Sequence, residues 1–245
     1  MRLYPAIDIL DGSAVRLVKG DFDAKRTYAS DPLAAATGWA EAGAEALHVV
    51  DLDGARKGEP VNLEHLSRIA RELGLPVQFG GGLRSREAID GALAAGATRV
   101  ILGTAALKDP ELLREALAAH GPERVLVSVD TRGGLATSAG WTETEARSAA
   151  EVVEGLLQDG VQEIVYTDVD RDGMLEGPDL DGVRALGSDL DARLVYSGGI
   201  GRIEDLEELA ALGLESLTGV IVGKALYENR FTIAQAKEAL ARGLA

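Results

Sequence analysis

The chain contains no cysteine. That excludes disulfides, a thiolate nucleophile and zinc–thiolate sites, and leaves the redox compartment unaddressed. Aromatic residues make up only 4% of the 245 residues, so stacking surfaces are scarce and each tryptophan stands out as a candidate contact. Positive charge is short as well: 25 Lys and Arg face 40 Asp and Glu, for a net charge of −15. With no basic run to offset it, that balance argues against nucleic-acid binding. It does not exclude a phosphorylated small ligand, which backbone N–H groups and helix N-termini can hold whatever the net charge. No stretch approaches the ~20 apolar residues of a membrane span. The opening "MRLYPAIDIL" is too short an apolar run for a signal peptide and carries an acid. There is no P-loop, and no GxGxxG follows a strand, so no nucleotide cofactor is expected. These absences lead to the expectation of a cytoplasmic protein with no membrane, nucleic-acid or obligatory protein partner.

What is present is alternation. Short β-branched runs occur at 3–8, 46–51, 76–81, 99–104, 125–130, 163–169, 193–199 and 219–224. They are near-continuous apolar runs, as parallel strands covered on both faces require. Between them lie amphipathic stretches with helix start and stop signals, such as "SDPLAAATGWAEAGA", "SREAIDGALAAGA" and "DPELLREALAAHG". "RIEDLEELAALG" and "TIAQAKEALARGLA" are expected to follow the same rule. No composition break suggests a linker, so residues 1–245 are expected to form one domain. Eight β-then-α units in about 250 residues predict a (β/α)8 barrel, with a doubly wound open sheet as the alternative.

The two halves of the chain repeat one another. "LHVVDLD" (47–53) overlays "IVYTDVD" (164–170), and "FGGGLRS" (79–85) overlays "YSGGIGR" (196–202), both at an offset of 117. "VILGTAAL" overlays "VIVGKALY" at 120, and Asp8 overlays Asp130 at 122. An open sheet has no reason for such symmetry, whereas a barrel of two similar half-barrels does.

The unusual residues fall at strand C-termini, the catalytic face of such barrels. Gly81 and Gly82 follow strand 3, Gly103 and Thr104 strand 4, Ser197, Gly198 and Gly199 strand 7, and Gly223 and Lys224 strand 8. Glycine there serves a tight turn, or lets the backbone approach an oxyanion at a helix N-terminus. Four clusters in two symmetric pairs favour two phosphate sites on opposite sides of one mouth. Asp8 and Asp130 would face each other between them, as turn caps or as a carboxylate pair dividing acid and base work. Metal ligation lacks support, because His48, His65 and His120 do not cluster with them; His65 and His120 read as helix-surface residues. "TDVDRDG" (167–173) offers Thr167 as a hydroxyl contact and Asp172 as a further acid, with Asp170 the weakest candidate. Its counterpart "DLDGARKGEP" (51–60) is a second candidate clasp. Residues 11–31, with Arg16, Lys19, Lys25 and Arg26, form either a charged loop or small hairpin, or a lid over an anionic substrate. Trp141, after strand 5, is a candidate to stack on a heterocycle, with core packing as the plain alternative.

Taken together, "PAIDILDG", "SVDTRGG", "GGGLRS", "YTDVDRDG" and "GVIVGKALYE" resemble the phosphoribosylformimino-5-aminoimidazole carboxamide ribotide isomerase family of histidine biosynthesis, over essentially the whole chain. The resemblance implies an Amadori rearrangement of a bisphosphorylated aminoaldose to its aminoketose, with no cofactor and no metal. It gives the base role to Asp8 and the acid role to Asp130, and puts Thr167 and Asp172 against the substrate, Asp172 competing for the acid role. It also places Arg84 and Gly177 with the glycines in the binding set. A related cyclase subunit shares barrel and aspartates, but its first strand has a "CLDV"-like segment, and no Cys is present here. A dual-substrate isomerase also acting on phosphoribosylanthranilate carries extra arginines before the strand-5 Trp, which "GGLATSAGW" lacks. A non-catalytic phosphosugar-binding barrel is the reading from another class; it leaves the two carboxylates without a use.

Overall fold

A computed structural model describes residues 1–18, 21–138 and 143–242. Eight parallel strands form its centre: β1 (Arg2–Leu10), β2 (Leu47–Asp51), β3 (Val77–Gly80), β4 (Arg99–Leu102), β5 (Val125–Arg132), β6 (Glu163–Asp168), β7 (Arg193–Ser197) and β8 (Leu217–Val222). Each pairs with its successor, and β8 returns to β1 with Arg2 opposite Gly219 and Pro5 opposite Val222, so the sheet closes. Eight outer helices complete the (β/α)8 barrel: α1 (Pro32–Glu41), α2 (Leu63–Leu73), α3 (Arg86–Ala94), α4 (Pro110–His120), α5 (Ala149–Gln158), α6 (Leu180–Gly187), α7 (Ile203–Ala211) and α8 (Ile233–Arg242).

The helix starts carry the expected chemistry. Asp31, Ser85 and Asp109 accept the first free N–H groups of α1, α3 and α4, and Ser148 with Glu151 makes a reciprocal box on α5. Thr232 and Gln235 exchange bonds in the same way at α8. Asn62 opens α2 without a side-chain cap bond, its amide donating to Asp51 and Asp53 instead. A second exception is α7. Its cap position is Arg202, which is not a capping residue, and Asp205 accepts the N–H groups of Gly201 and Arg202 instead.

Most of the apolar core lies between barrel and helices, with Ile7, Val49, Phe79, Leu102 and Tyr196 fully enclosed. A second cluster fills the barrel itself with Tyr4, Ala6, Ile101, Leu126, Val165, Val195 and Ile221. Below it the interior is polar, contrary to the reading of every strand as an apolar run. Arg99 bonds Glu163 at 2.6 Å, Tyr4 Oη at 2.7 Å and Gln78 at 2.7 Å, and Arg193 holds the other Glu163 oxygen at 2.8 Å. Each charge in this plug is met by an opposite charge or a hydrogen bond, the condition on which ions can sit inside a barrel.

Two extensions of the strands shape the C-terminal mouth. β1 turns at Asp11 and Gly12, both with positive φ, into an antiparallel strand Ser13–Val18, which pairs in turn with Asp21–Ala29. Ser13–Val18 and Asp21–Ala29 therefore make a hairpin, one of the readings open for this segment. β5 does the same at Gly133 and Gly134, leading to Leu135–Ser138 and Glu143–Ser148. The turns lie 122 residues apart, so the half-barrel repeat extends to the mouth.

Candidate active site

Strand alternation decides which side chains reach the mouth. Residues two apart face the same way, so above Ala6, Val165 and Val195 in the inner cluster come Asp8, Thr167 and Ser197. Gly103 follows Ile101 and Gly223 follows Ile221 by the same count, and Asp130 stands four residues above Leu126. With β1 and β5 separated by three strands in either direction, Asp8 and Asp130 stand across the mouth from each other. Neither ends its strand as the sequence suggested, because β1 and β5 both run two residues further into the hairpins.

Asp8 is buried and accepts from Arg16 Nη1 at 2.8 Å. Arg16 Nη2 reaches Asp172 Oδ1 at 3.4 Å, so one guanidinium bridges two of the candidate acids. Burial pushes the Asp8 carboxyl up to about 6, against the pull of Arg16 and with a push from Asp172. It thus sits where a general base for neutral pH should lie. Thr167 is buried on β6 and pairs in register with Asp130, whose backbone carbonyl accepts from Thr137 at 3.1 Å.

Beside Arg16 lies a cleft lined by Asp172, Gly173, Ser197, Gly198, Gly199, Gly223 and Lys224. Lys224 Nζ bonds the carbonyl of Gly173 at 2.8 Å, tying the β8 loop to the β6 loop. Gly177 belongs to the same lacing: its N–H bonds Gly199 O at 3.0 Å, and its carbonyl accepts from Arg171 at 3.3 Å. On the opposite side, Gly103 precedes the short helix Thr104–Lys108, and Arg84 turns to the β2 loop, bonding Ala55 O at 2.9 Å.

The paired glycines have a reason of their own. Gly81 and Gly82 have φ of 109° and 75°, and Gly198 and Gly199 have the same two values. A Cβ on Gly81 would lie 2.2 Å from the Asp51 carbonyl oxygen, and one on Gly199 would lie 2.1 Å from that of Gly177. The chain's own backbone demands glycine there, so those residues alone do not argue for a phosphate. The anion reading rests instead on Arg16, Lys224 and the first N–H groups of the helical turns that open at Gly103 and Gly223, which have no partner within their own turn.

Several residues take places that the sequence reading did not assign to them individually. Asp51 is fully buried and accepts from Gly54 N, Val61 N, Asn62 N and Asn62 Nδ2, which fastens the β2 loop. Its counterpart Asp168 pairs with Arg171 at 3.0 Å, and burial, then Asp179, raises its carboxyl above the usual range. The 117-residue overlay aligns the two and was the available signal. Asp53 accepts the N–H of Asp11 at 2.9 Å, and Asp170 that of Gly133 at 3.2 Å, so each holds its half's hairpin turn. Tyr28 on the hairpin stacks on Tyr227 at 4.5 Å, and Trp39 meets Tyr227 edge-on at 5.0 Å. His48 is a strand residue bonded to Gln78, and burial first, then Arg16 and Arg99, lowers it to about 3, leaving it neutral. His65 is half-buried on α2, with Nδ1 enclosed and Nε2 facing Gly12, rather than a surface residue. Lys19 and Trp141 lie outside the described residues. Among the described residues, no three His, Asp or Glu are grouped to hold a metal ion, and no helix is long and apolar enough to cross a membrane.

Comparison with known proteins agrees along the whole length. A chain from Halothermothrix orenii is 44% identical over 233 residues, covering 95% of this chain and 97% of its own. It is named a 1-(5-phosphoribosyl)-5-((5-phosphoribosylamino)methylideneamino)imidazole-4-carboxamide isomerase. Chains of the same name from Moorella thermoacetica and Roseiflexus castenholzii are each 44% identical, over 243 and 236 residues. They cover 99% and 96% of this chain and 100% and 98% of their own. The sequence model of a family described as histidine biosynthesis protein matches residues 2–232, and the chain belongs to that family.

Proposed function

We propose that this chain catalyses the isomerisation its relatives are named for, an Amadori rearrangement of the bisphosphorylated aminoaldose to the aminoketose. The observation that carries the reading is a buried carboxyl pushed up to about 6, Asp8, standing across a barrel mouth from the carboxyl of Asp130. Two like groups in unlike surroundings can hold opposite protonation states at one pH.

Asp130, as the acid, protonates the ribose ring oxygen; the C1–O bond breaks and C1 becomes a protonated imine. Asp8, as the carboxylate, takes the C2 proton, and the electron pair moves to form the C1–C2 double bond of the neutral enolamine. The C2 hydroxyl then returns its proton to Asp130 while C1 takes the proton held on Asp8. The ketone forms and both carboxyls regain their starting states. Thr167 is in place to hold a sugar hydroxyl, and Asp172 is the second candidate for the acid. One phosphate goes to the Gly103–Thr104 side with Gly81, Gly82 and Arg84, the other to Ser197–Gly199 and Gly223–Lys224 with Gly177. Arg16 and Lys19 supply positive charge, and Trp141 a stacking surface for the imidazole. The reaction needs no cofactor or protein partner, and a phosphorylated intermediate suits a cytoplasmic enzyme.

A parallel assay of the purified protein with the carboxamide aminoaldose and with phosphoribosylanthranilate tests this. Conversion of the first alone is expected. Turnover of both would mark a dual-substrate isomerase, and binding without turnover would leave a phosphosugar-binding barrel.

A further inference from the structure

The buried side-chain polar atoms without a hydrogen-bond partner among the described residues are few: Arg16 Nε, Trp39 Nε1, His65 Nδ1 and Tyr227 Oη. One of them belongs to the guanidinium that already holds Asp8 and Asp172. Enclosing an N–H without a partner costs about 1–3 kcal/mol, so the position of Arg16 Nε calls for a reason. Nε lies directly over Gly223: a Cβ built there would stand 2.8 Å from it and 2.5 Å from Cζ. Gly223 begins the short helix Lys224–Tyr227 and lines the same cleft as Ser197, Gly198 and Lys224. That cleft, with Arg16 in it, holds only about 20 Å³ of free space, roughly room for a water. A phosphoryl group seated on the Gly223–Lys224 backbone must therefore meet the Arg16 guanidinium.

We propose that Arg16 couples phosphate occupancy of this cleft to the basicity of Asp8: its Nη1 holds Asp8, its Nη2 reaches Asp172, and its unpartnered Nε is the donor left for the phosphate. In the ligand-free protein the full charge of Arg16 falls on Asp8 and weakens it as a base. An arriving phosphate dianion shares that charge, so Asp8 becomes a stronger base when a substrate with this phosphate is bound. Energy from a remote part of the substrate is thereby directed to the proton-transfer step. The inference rests on the reading of Asp8 as the base. The groups facing the pair come from four elements: Asp172 from the β6 loop, Tyr227 from the helix after β8, Tyr28 from the second hairpin strand and His48 from β2. Asp172, the one carboxylate among them, is common to every comparison below.

The test follows the Asp8 carboxyl by carbon NMR in protein labelled at aspartate, assigned by its loss in Asp8→Asn, with inorganic phosphate as probe. Amide shifts of Gly223 and Lys224 report occupancy. In the wild type the Asp8 midpoint should rise by about one unit on saturation. In Arg16→Gln it should start higher and not respond; in Arg16→Lys, which keeps charge without the fork, the response should be partial. A substrate analogue lacking this phosphate should lose kcat more than KM in the wild type, and show no such split in Arg16→Gln. Phosphate that fails to bind at Gly223 and Lys224, or binds and leaves Asp8 unmoved in the wild type, overturns the proposal. So does an Arg16→Gln response equal to the wild type. Because the titration needs no turnover, a protein that shows the shift but does not isomerise the carboxamide substrate would refute the assigned reaction and not the coupling.

Discussion

The two half-barrels share their scaffolding and differ in their electrostatics. Both use a glycine pair with φ of 109° and 75°, both turn their first strand into a hairpin, and both fix that turn with an aspartate, Asp53 or Asp170. In the first half the mouth carboxylate, Asp8, is bound to Arg16; the residue at the matching place in the second hairpin is Ser138, a neutral one. In the loops, Asp51 is met by the amide of Asn62, whereas Asp168 is paired with Arg171 and pushed up by a like charge, Asp179, at the position 117 residues beyond Asn62. The repeat thus preserves what positions the mouth and varies what sets the charge there. Equal surroundings would give two carboxyls of equal strength, and a base and an acid must differ.

Substitutions that level the difference should show it most clearly. The largest effect is expected for Asp8→Asn, with kcat falling about a thousandfold as the C2 proton loses its acceptor. Asp130→Asn should cost less, about a hundredfold, because Asp172 is a second candidate for the acid; steady-state assays of the two variants side by side would check the order. Next comes Asn62→Asp, which gives the first half the second half's pair of acids. It removes two donors and sets a carboxylate against the enclosed Asp51, for an expected loss of about 3 kcal/mol in denaturant unfolding at pH 8. The loss should shrink in acid, where one carboxyl of the pair takes a proton.

Asp8→Asn should also alter stability, in the opposite direction. A carboxyl raised from 3.8 to about 6 by folding adds stability only below its unfolded value. That contribution disappears as pH rises to the folded value, and above it the ionised group is a standing cost. The variant should therefore be more stable than the wild type at pH 8, by about 1–2 kcal/mol after allowing for the partner Arg16 loses. The advantage should be gone below pH 4. The smallest effect belongs to Asp172→Asn: with one negative neighbour removed, the acid limb of kcat/KM, expected near the Asp8 value, should move down by less than about one unit. An unmoved limb would mean that Asp8 is not the group whose ionisation is seen.

Local patterns made the barrel legible. Each of the eight strands and most caps are written in residues a few positions apart, and the half-chain overlay turned two ordinary-looking aspartates into a facing pair. What did not show was anything dependent on partners far apart in sequence. Arg99 and Glu163 are 64 residues apart, and as single charges in apolar runs they gave no sign of a polar plug. The segment after β1 read equally as loop, small hairpin or lid because the strand Asp21–Ala29 is largely exposed and has no long apolar run. The glycine clusters were legible as special and misleading as to why. Gly81 and Gly199 press against backbone that only the folded chain brings to them. Asp168 and Asp51 were aligned by the overlay and passed over, since nothing in the sequence distinguishes a stitched carboxylate from a working one.

The stack of Tyr28 on Tyr227 joins two points 199 positions apart in a chain that is made from one end. Asp8 leaves the ribosome well before β8, the strand that closes the barrel against β1, and before the tyrosine that pins its hairpin. At about 5–20 residues per second, the open edge of β1 waits roughly 10–40 s for its partner. Through that interval the first half can pair within itself but cannot finish the mouth. The Asp8 carboxyl, raised by burial in the closed barrel, therefore stays solvated and ordinary in strength until β8 has been made.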